Sequence, residues 1–133
     1  MFGIQASCST VWDTVNSIDT IRVAGGWERA SWDGADGPGP GRQLVVAPPG
    51  AIDDSQSVRW TIERWEPPHV LEVTTPGARS SYRIQASADG SYLTIGAAWF
   101  APRGRAGWGM RRKMIANLNR YGWTVRDRAE AAG

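Results

Sequence analysis

Few side chains in this sequence combine a reactive type with a setting that would let them do chemistry. Moving a proton near a reacting carbon takes an ionisable group whose surroundings shift its pKa, and the candidates are Asp13, Glu63, Arg64, Tyr82 and Arg83. Tyr82 is the strongest, because alternation along the run 79–87 turns its phenol to the same face as Ile84. The plainer reading is a core tyrosine bonded to a backbone group. If Ile62 and Tyr82 point inward, Glu63 and Arg83 share the solvent face, which predicts an exposed pair of small energetic weight. His69, the single histidine, follows Pro67 and Pro68 in a turn signal and reads as a surface residue. Asp53, Asp54 and Ser55 read as loop rather than as metal ligands.

Other chemistries are excluded by what is missing. The sequence holds no G-x-S-x-G, no G-x-x-x-x-G-K and no H-E-x-x-H. The tract G-A-D-G-P-G-P-G reads as a turn, since its prolines remove the N–H donors that a phosphate-binding loop relies on. One cysteine, Cys8, rules out an internal disulfide, and with one histidine it cannot assemble a structural zinc site without carboxylate help. Neither a metal nor a cofactor is expected.

Length and composition then set the frame. A chain of 133 residues, 41% hydrophobic and with eight tryptophans, fits one domain over residues 1–133 with volume enough for a core. No apolar run approaches the roughly 18–20 residues of a spanning helix, and the first fifteen residues lack the pattern of a secretory leader. The expected setting is therefore the cytoplasm. Net charge is only +2, yet positions 90 to 126 contain no Asp or Glu while holding Arg103, Arg105, Arg111, Arg112, Lys113, Arg120 and Arg126. Such a segment suits an anionic ligand, a membrane surface or RNA; the plainer reading is a solvated helix face balanced by the acidic remainder.

The elements that would position these residues emerge from periodicity. A short apolar strand opens the chain, and Ser7 can cap a helix over about 8–17 in which Val11, Trp12, Val15 and Ile18 recur at helical spacing. A second helical turn is predicted at about 19–24, ended by Gly25 and Gly26. From Trp27 the period changes to six strand-like runs, within 27–32, 42–47, 57–65, 69–75, 79–87 and 91–100, separated by Gly, Pro and Asp. The last segment, about 108–129, places Met114, Leu118, Tyr121 and Val125 on one stripe and Arg112, Asn119 and Arg126 opposite. Gly122 within it costs about 1 kcal/mol relative to Ala, which calls for a packing reason such as close approach to the sheet.

An α+β architecture results, with a curved seven-stranded antiparallel sheet whose concave face is covered by the one element long enough to do so, the terminal helix. The inward faces are predicted to carry Trp60, Ile62, Leu71, Val73, Tyr82, Ile84, Ile95, Ala97 and Trp99, with Met114 and Leu118 as a lid. Trp60 and Trp65 pose a problem in this scheme. Five positions apart on one strand, their indoles should lie on opposite faces unless a bulge intervenes.

The residues I-x-A-S-x-x-x-V-W from Ile4 to Trp12, the glycine-rich turn before Arg42, I-E-R-W-E-P-P from Ile62 to Pro68, the D-G-S turn at Asp89 and the terminal helix together resemble the SRPBCC superfamily. This is the helix-grip fold of polyketide cyclase/dehydrase-like proteins, START-related lipid-binding domains and birch-pollen-allergen-like proteins. The first strand is shorter here than is usual in that superfamily. The resemblance implies a deep apolar cavity between sheet and terminal helix for hydrophobic small molecules, and it does not imply a reaction. Two functions stand as expectations. One is a binder or carrier of an aromatic, polyketide-like, quinone or lipid molecule, with Arg103, Arg105, Arg111, Arg112 and Lys113 meeting an anionic surface. The other is a polyketide cyclase or dehydratase. The scarcity of buried acid–base groups favours the first, and nucleic acid is not the expected partner.

Overall fold

The computed structural model describes residues 1–34, 36–51, 56–75, 77–99 and 104–132. Strand β1 (Phe2–Ile4) runs into helix α1 (Cys8–Val15), which starts where Ser7, in extended conformation, accepts a hydrogen bond from the Thr10 amide at 3.2 Å. That side-chain acceptor satisfies one of the N–H groups a helix start leaves open. Helix α2 (Ile18–Gly25) ends on Gly26 in the left-handed region, with the Trp27 amide reaching back to the Arg22 carbonyl and the Gly26 amide to Val23. This is the paired-bond stop that a glycine without Cβ makes easy.

Strands β2 (Arg29–Trp32), β3 (Gln43–Ala47), β4 (Val58–Glu66), β5 (Val70–Thr75), β6 (Ala78–Ser87) and β7 (Gly90–Trp99) come next as an antiparallel meander. Strand β1 closes onto the far edge, so the seven-stranded sheet has the order β1-β7-β6-β5-β4-β3-β2. Helix α3 (Arg105–Ala132) completes the chain. It begins three residues earlier than its periodicity predicts, since Arg105 and Ala106 are themselves strong helix formers. Of the basic stretch, Arg103 lies outside the described residues, as does the loop trio Asp53, Asp54 and Ser55.

Register resolves the tryptophan problem. Ile62 pairs with Val73 and Arg64 with Glu72, so two residues of β4 oppose one step of β5, a bulge at Glu63. Beyond it the alternation is reset. Trp65 pairs with buried Leu71 and packs on the core, its ring edge-on to Trp12 at 4.9 Å between centroids, while Trp60 pairs with buried Leu44 on the same concave face. The expectation of opposite faces is thus corrected by the one condition that could overturn it. The bulge also leaves Glu63 pointing outward, where it accepts from the Thr74 hydroxyl at 2.9 Å.

Helix α3 packs against α1, α2, β1 and β7. Its anchoring is concentrated in its second half, where Val125 and Ala129 are fully buried. Gly122 meets β1 so closely that a Cβ there would lie 2.1 Å from the Phe2 ring. The close approach that this glycine calls for is therefore to the edge strand, and any larger residue must displace Phe2. Arg120 donates to the Ala24 carbonyl at 2.9 Å and Arg128 to Asp19 at 2.5 Å, tying the same half to α2.

Candidate functional site

The concave face is arranged in rows that register makes explicit. Leu71, Tyr82 and Ile95 face one another across β5, β6 and β7; the next row runs Ile62, Val73, Ser80 and Ala97, and after it come Thr75, Ala78 and Trp99. Toward the other end lie Ile84 and Leu93, with Phe2 beyond. Alternation therefore puts Trp60, Ile62, Leu71, Val73, Tyr82, Ile84, Ile95, Ala97 and Trp99 on one side of the sheet.

A cavity of about 20 Å³ lies on this face, lined by Val15, Asn16 and Ile21 from the short helices, by Trp32, Leu44, Trp60, Ile62, Leu71, Val73 and Tyr82 from the sheet, and by Tyr121 from α3. Five expected residues thus meet at it: Trp60, Ile62, Leu71, Val73 and Tyr82. The others stand elsewhere. Ile84 is buried in the main core among residues that include Val11, Val15, Leu93 and Val125, because α1 and α3 roof that end of the sheet. Ile95 packs at the margin of the same core, and Ala97 and Trp99 are half-buried on the sheet without lining the cavity. Met114 and Leu118 are half-buried on the first half of α3, about two turns and one turn before Tyr121, the helix residue that reaches the cavity. The expected lid is therefore displaced along the helix.

Sequence reading did not single out Asn16, Ile21, Trp32 or Leu44. For Leu44 and Trp32 the signal was present in strand alternation, since each directly opposes the other across β2 and β3. For Asn16 and Ile21 no local signal exists, because their position depends on how α1 turns into α2.

The space is small because aromatic side chains occupy it. By volume it admits about one water molecule, whereas pockets for small organic ligands are roughly 300–1,000 Å³. The deep cavity expected from sequence is, in this conformation, largely filled by Trp32, Trp60, Tyr82 and Tyr121. Trp60 stands edge-on to Trp27 at 5.9 Å, and the Tyr82 and Tyr121 rings are tilted against each other at 5.6 Å. Binding anything larger requires these rings to move.

Polar groups at the site are few and mostly engaged. Asn16 donates to the Trp12 carbonyl at 3.0 Å, and the Tyr121 hydroxyl donates to the Val15 carbonyl at 2.9 Å. Tyr82, the one catalytic candidate that reaches the cavity, shares its strand face with Ser80. Burial pushes the Tyr82 phenol up to about 12, an effect the nearby Ser80 side chain partly offsets. Burial, and after it the neighbouring Tyr82, likewise holds the Tyr121 phenol well above its ordinary value. Both phenols are thus proton donors over the physiological range and cannot serve as bases there.

The remaining candidates are remote. Glu63 and Arg83 do share the outer face, and among the described residues no ion pair joins them: Glu63 accepts from Thr74, while Arg64 pairs with Glu66 and, at 3.8 Å, with Glu72. Asp13 is exposed on α1. His69 is exposed, and its Nδ1 lies 2.8 Å from the Ile84 carbonyl, a contact that fastens β5 to β6.

A curved antiparallel meander gripping one long terminal helix, with two short helices closing one end, defines a helix-grip protein of the SRPBCC superfamily. The chain belongs to the polyketide cyclase/dehydrase and lipid transport family, whose model matches residues 3–125. Comparison with curated proteins gives no match. Among solved structures, the solution structure of protein BH1534 from Bacillus halodurans is similar with a TM-score of 0.68 at 14% identity, covering 93% of this chain and 92% of that one. The crystal structure of Ara h 8.0201 is similar at TM-score 0.67 and 11% identity, over 96% of this chain and 93% of its own. The Aha1 dimer from Colwellia psychrerythraea gives 0.63 at 11%, over 94% and 92%. Likeness at these identities concerns the fold.

Proposed function

We propose that this chain binds a hydrophobic small molecule between the concave face of the sheet and α3, and acts as a binder or carrier. The observation that carries the reading is the lining itself. Apolar and aromatic side chains from both short helices, the sheet and α3 converge there, and the polar side chains they bring are Asn16 and two phenols held in their protonated form. Flat aromatic rings at the wall suit a flat or polycyclic guest, such as an aromatic, polyketide-like, quinone or lipid-derived molecule, by offset and edge-on contact. The Tyr82 phenol can donate a hydrogen bond to a guest carbonyl or hydroxyl and so orient it.

The family's description favours a second reading, a polyketide cyclase or dehydratase. Such a reaction needs a base near the reacting carbon. Among the described residues the lining offers no carboxylate or imidazole, and Tyr82 is a donor, so the binder reading is preferred. We place the protein in the cytoplasm in this reading; among the described residues no helix is long and apolar enough to cross a membrane.

Native mass spectrometry of the purified protein tests the proposal. A co-purifying hydrophobic adduct is expected, and Val73→Ile, whose added methylene takes up the small space that remains, should weaken its retention while keeping a cooperative melt. An adduct retained equally by that variant would place the guest elsewhere and overturn the site.

A further inference from the structure

The outward face of α3 carries a second pattern, independent of the cavity. Arg105, Trp108, Arg112, Ile115, Asn119, Trp123 and Arg126 succeed one another at spacings of three or four, so they form a single stripe along the helix. At about 1.5 Å per residue it is roughly 30 Å long. Its apolar members are open to solvent, with Trp108 65%, Ile115 44% and Trp123 52% exposed. Large aromatic and β-branched side chains held outward on one line are a departure from ordinary surface composition.

The charge on this stripe and beside it is of one sign. Arg105, Arg111, Arg112 and Lys113 are all exposed, and among the described residues no carboxylate is paired with any of them. The first acid on the helix is Asp127, and on the stripe only Arg126, at the far end, has an acidic partner, Glu130 at 3.5 Å. Arg112 lies over the Trp108 ring at 5.0 Å and Arg126 over Trp123 at 5.1 Å. Each pair couples a cation to an indole that is itself half in water.

We propose that the first half of α3 docks this protein onto an anionic lipid bilayer, with Trp108 and Ile115 seated at the interface and Arg105, Arg111, Arg112 and Lys113 against the headgroups. An interfacial helix needs an apolar line flanked by cations and lying in the membrane plane, which is what the stripe supplies. A second copy of the chain would bring two cationic faces together, so charge complementarity argues against it. RNA would meet the same cations but gives no reason for exposed Ile115 and Met110. The docked helix is the same element that stands over the cavity, so the membrane would be the source or destination of the guest. The docking inference itself does not depend on that link.

Co-sedimentation with vesicles tests it. The whole protein should sediment with equimolar phosphatidylglycerol and phosphatidylcholine and not with phosphatidylcholine alone, and the bound fraction should fall steeply with salt. Replacing Arg111, Arg112 and Lys113 together by Gln should weaken partitioning on the order of a hundred-fold. Trp108→Ala with Ile115→Ala should weaken it several-fold while leaving the salt dependence in place. All these side chains are on the surface, so the variants should melt as wild type and take up a hydrophobic dye in the absence of vesicles as wild type does; that control separates this proposal from the cavity reading. Equal sedimentation with neutral and anionic vesicles, or no loss in either variant, would overturn it. So would retention on polyuridylate without vesicle binding, or self-association abolished by Trp108→Ala without vesicle binding.

Discussion

The two halves of α3 both mix tryptophan, glycine and arginine, yet they live in different surroundings. From Tyr121 to Ala129 the helix is fixed on all inner sides: Gly122 against Phe2, Val125 and Ala129 in the core, Tyr121 bonded to Val15, Arg128 to Asp19. From Arg105 to Leu118 one residue, Gly107, is buried, and the side chains around it are half-buried or exposed. Both halves belong to one unbroken helix. The difference teaches that the grip is made at one end of the sheet, where α1 and α3 close over Ile84 and Leu93, and that the first half of the helix, with Gly107 buried and Met114 and Leu118 half-buried, is held less closely. Few buried contacts mean a low cost of local opening. That is the end next to the filled cavity, and the end that carries the cationic stripe.

Substitutions that remove core volume at the closed end should break the contrast most. Trp12→Ala, which takes away a buried indole packed on Trp65, should cost roughly 3–5 kcal/mol in urea or thermal unfolding, whereas Trp108→Ala should stay within about 0.5 kcal/mol. Equal losses would mean that the first half of α3 is as well anchored as the second. Next in size is Gly122→Leu, where the added side chain must displace the Phe2 ring; overpacking should cost roughly 1–3 kcal/mol, while Gly109→Ala, with open space around it, should be neutral or slightly stabilising through helix propensity.

Tyr121→Phe sharpens the comparison at the boundary between the halves. It removes one hydrogen bond to the Val15 carbonyl and should cost about 1 kcal/mol, with hydrogen exchange accelerating at the end of α1 more than in β6. The raised phenols give a related pH effect. The fold disfavours ionised Tyr82, so stability is at its full value below the ordinary phenol pKa of 10.0 and is lost as pH rises from there through about 12; Tyr82→Phe should flatten that alkaline decline.

The smallest effect concerns Asp19. Hydrogen bonds from Arg128 and then Arg22 hold its carboxyl below the usual carboxylate range. A lowered pKa means that the contribution is present at neutral pH and is lost only as pH falls through the folded-state value. Asp19→Asn should therefore lower neutral stability slightly, detected as faster exchange in the last turns of α3, with the difference from wild type closing as pH falls.

Much of this was legible in the residues, for local reasons. Ser7 and the Val11–Trp12–Val15 spacing announce α1, and Gly/Pro/Asp punctuation separates the strands, because caps and turns are decided within a few residues. The bulge at Glu63 is different: it exists only in the register between β4 and β5, so Trp65 could not be assigned a face from β4 alone. The lid shows the same limit. A helical stripe names the residues that share a face, and Met114, Leu118, Tyr121 and Val125 do share one; which part of that stripe lands on the sheet is set by Gly122 meeting Phe2, a contact 120 residues apart in sequence. How far Trp32 and Tyr121 fill the cavity depends on rotamers chosen in three dimensions.

The central claim, that a hydrophobic guest seats on the concave face beside Tyr82 and Tyr121, is tested most directly by methyl NMR during titration with a flat hydrophobic dye. Ile62, Leu71 and Val73 line the cavity while Ile115 reports on the exposed stripe, so the two apolar surfaces of the molecule are read in one spectrum. The account predicts saturable shifts at Ile62, Leu71 and Val73, with ring-current changes from Trp60 and Tyr121 and an unmoved Ile115. Shifts confined to Ile115 and its neighbours on α3, with the cavity methyls unchanged, would contradict it.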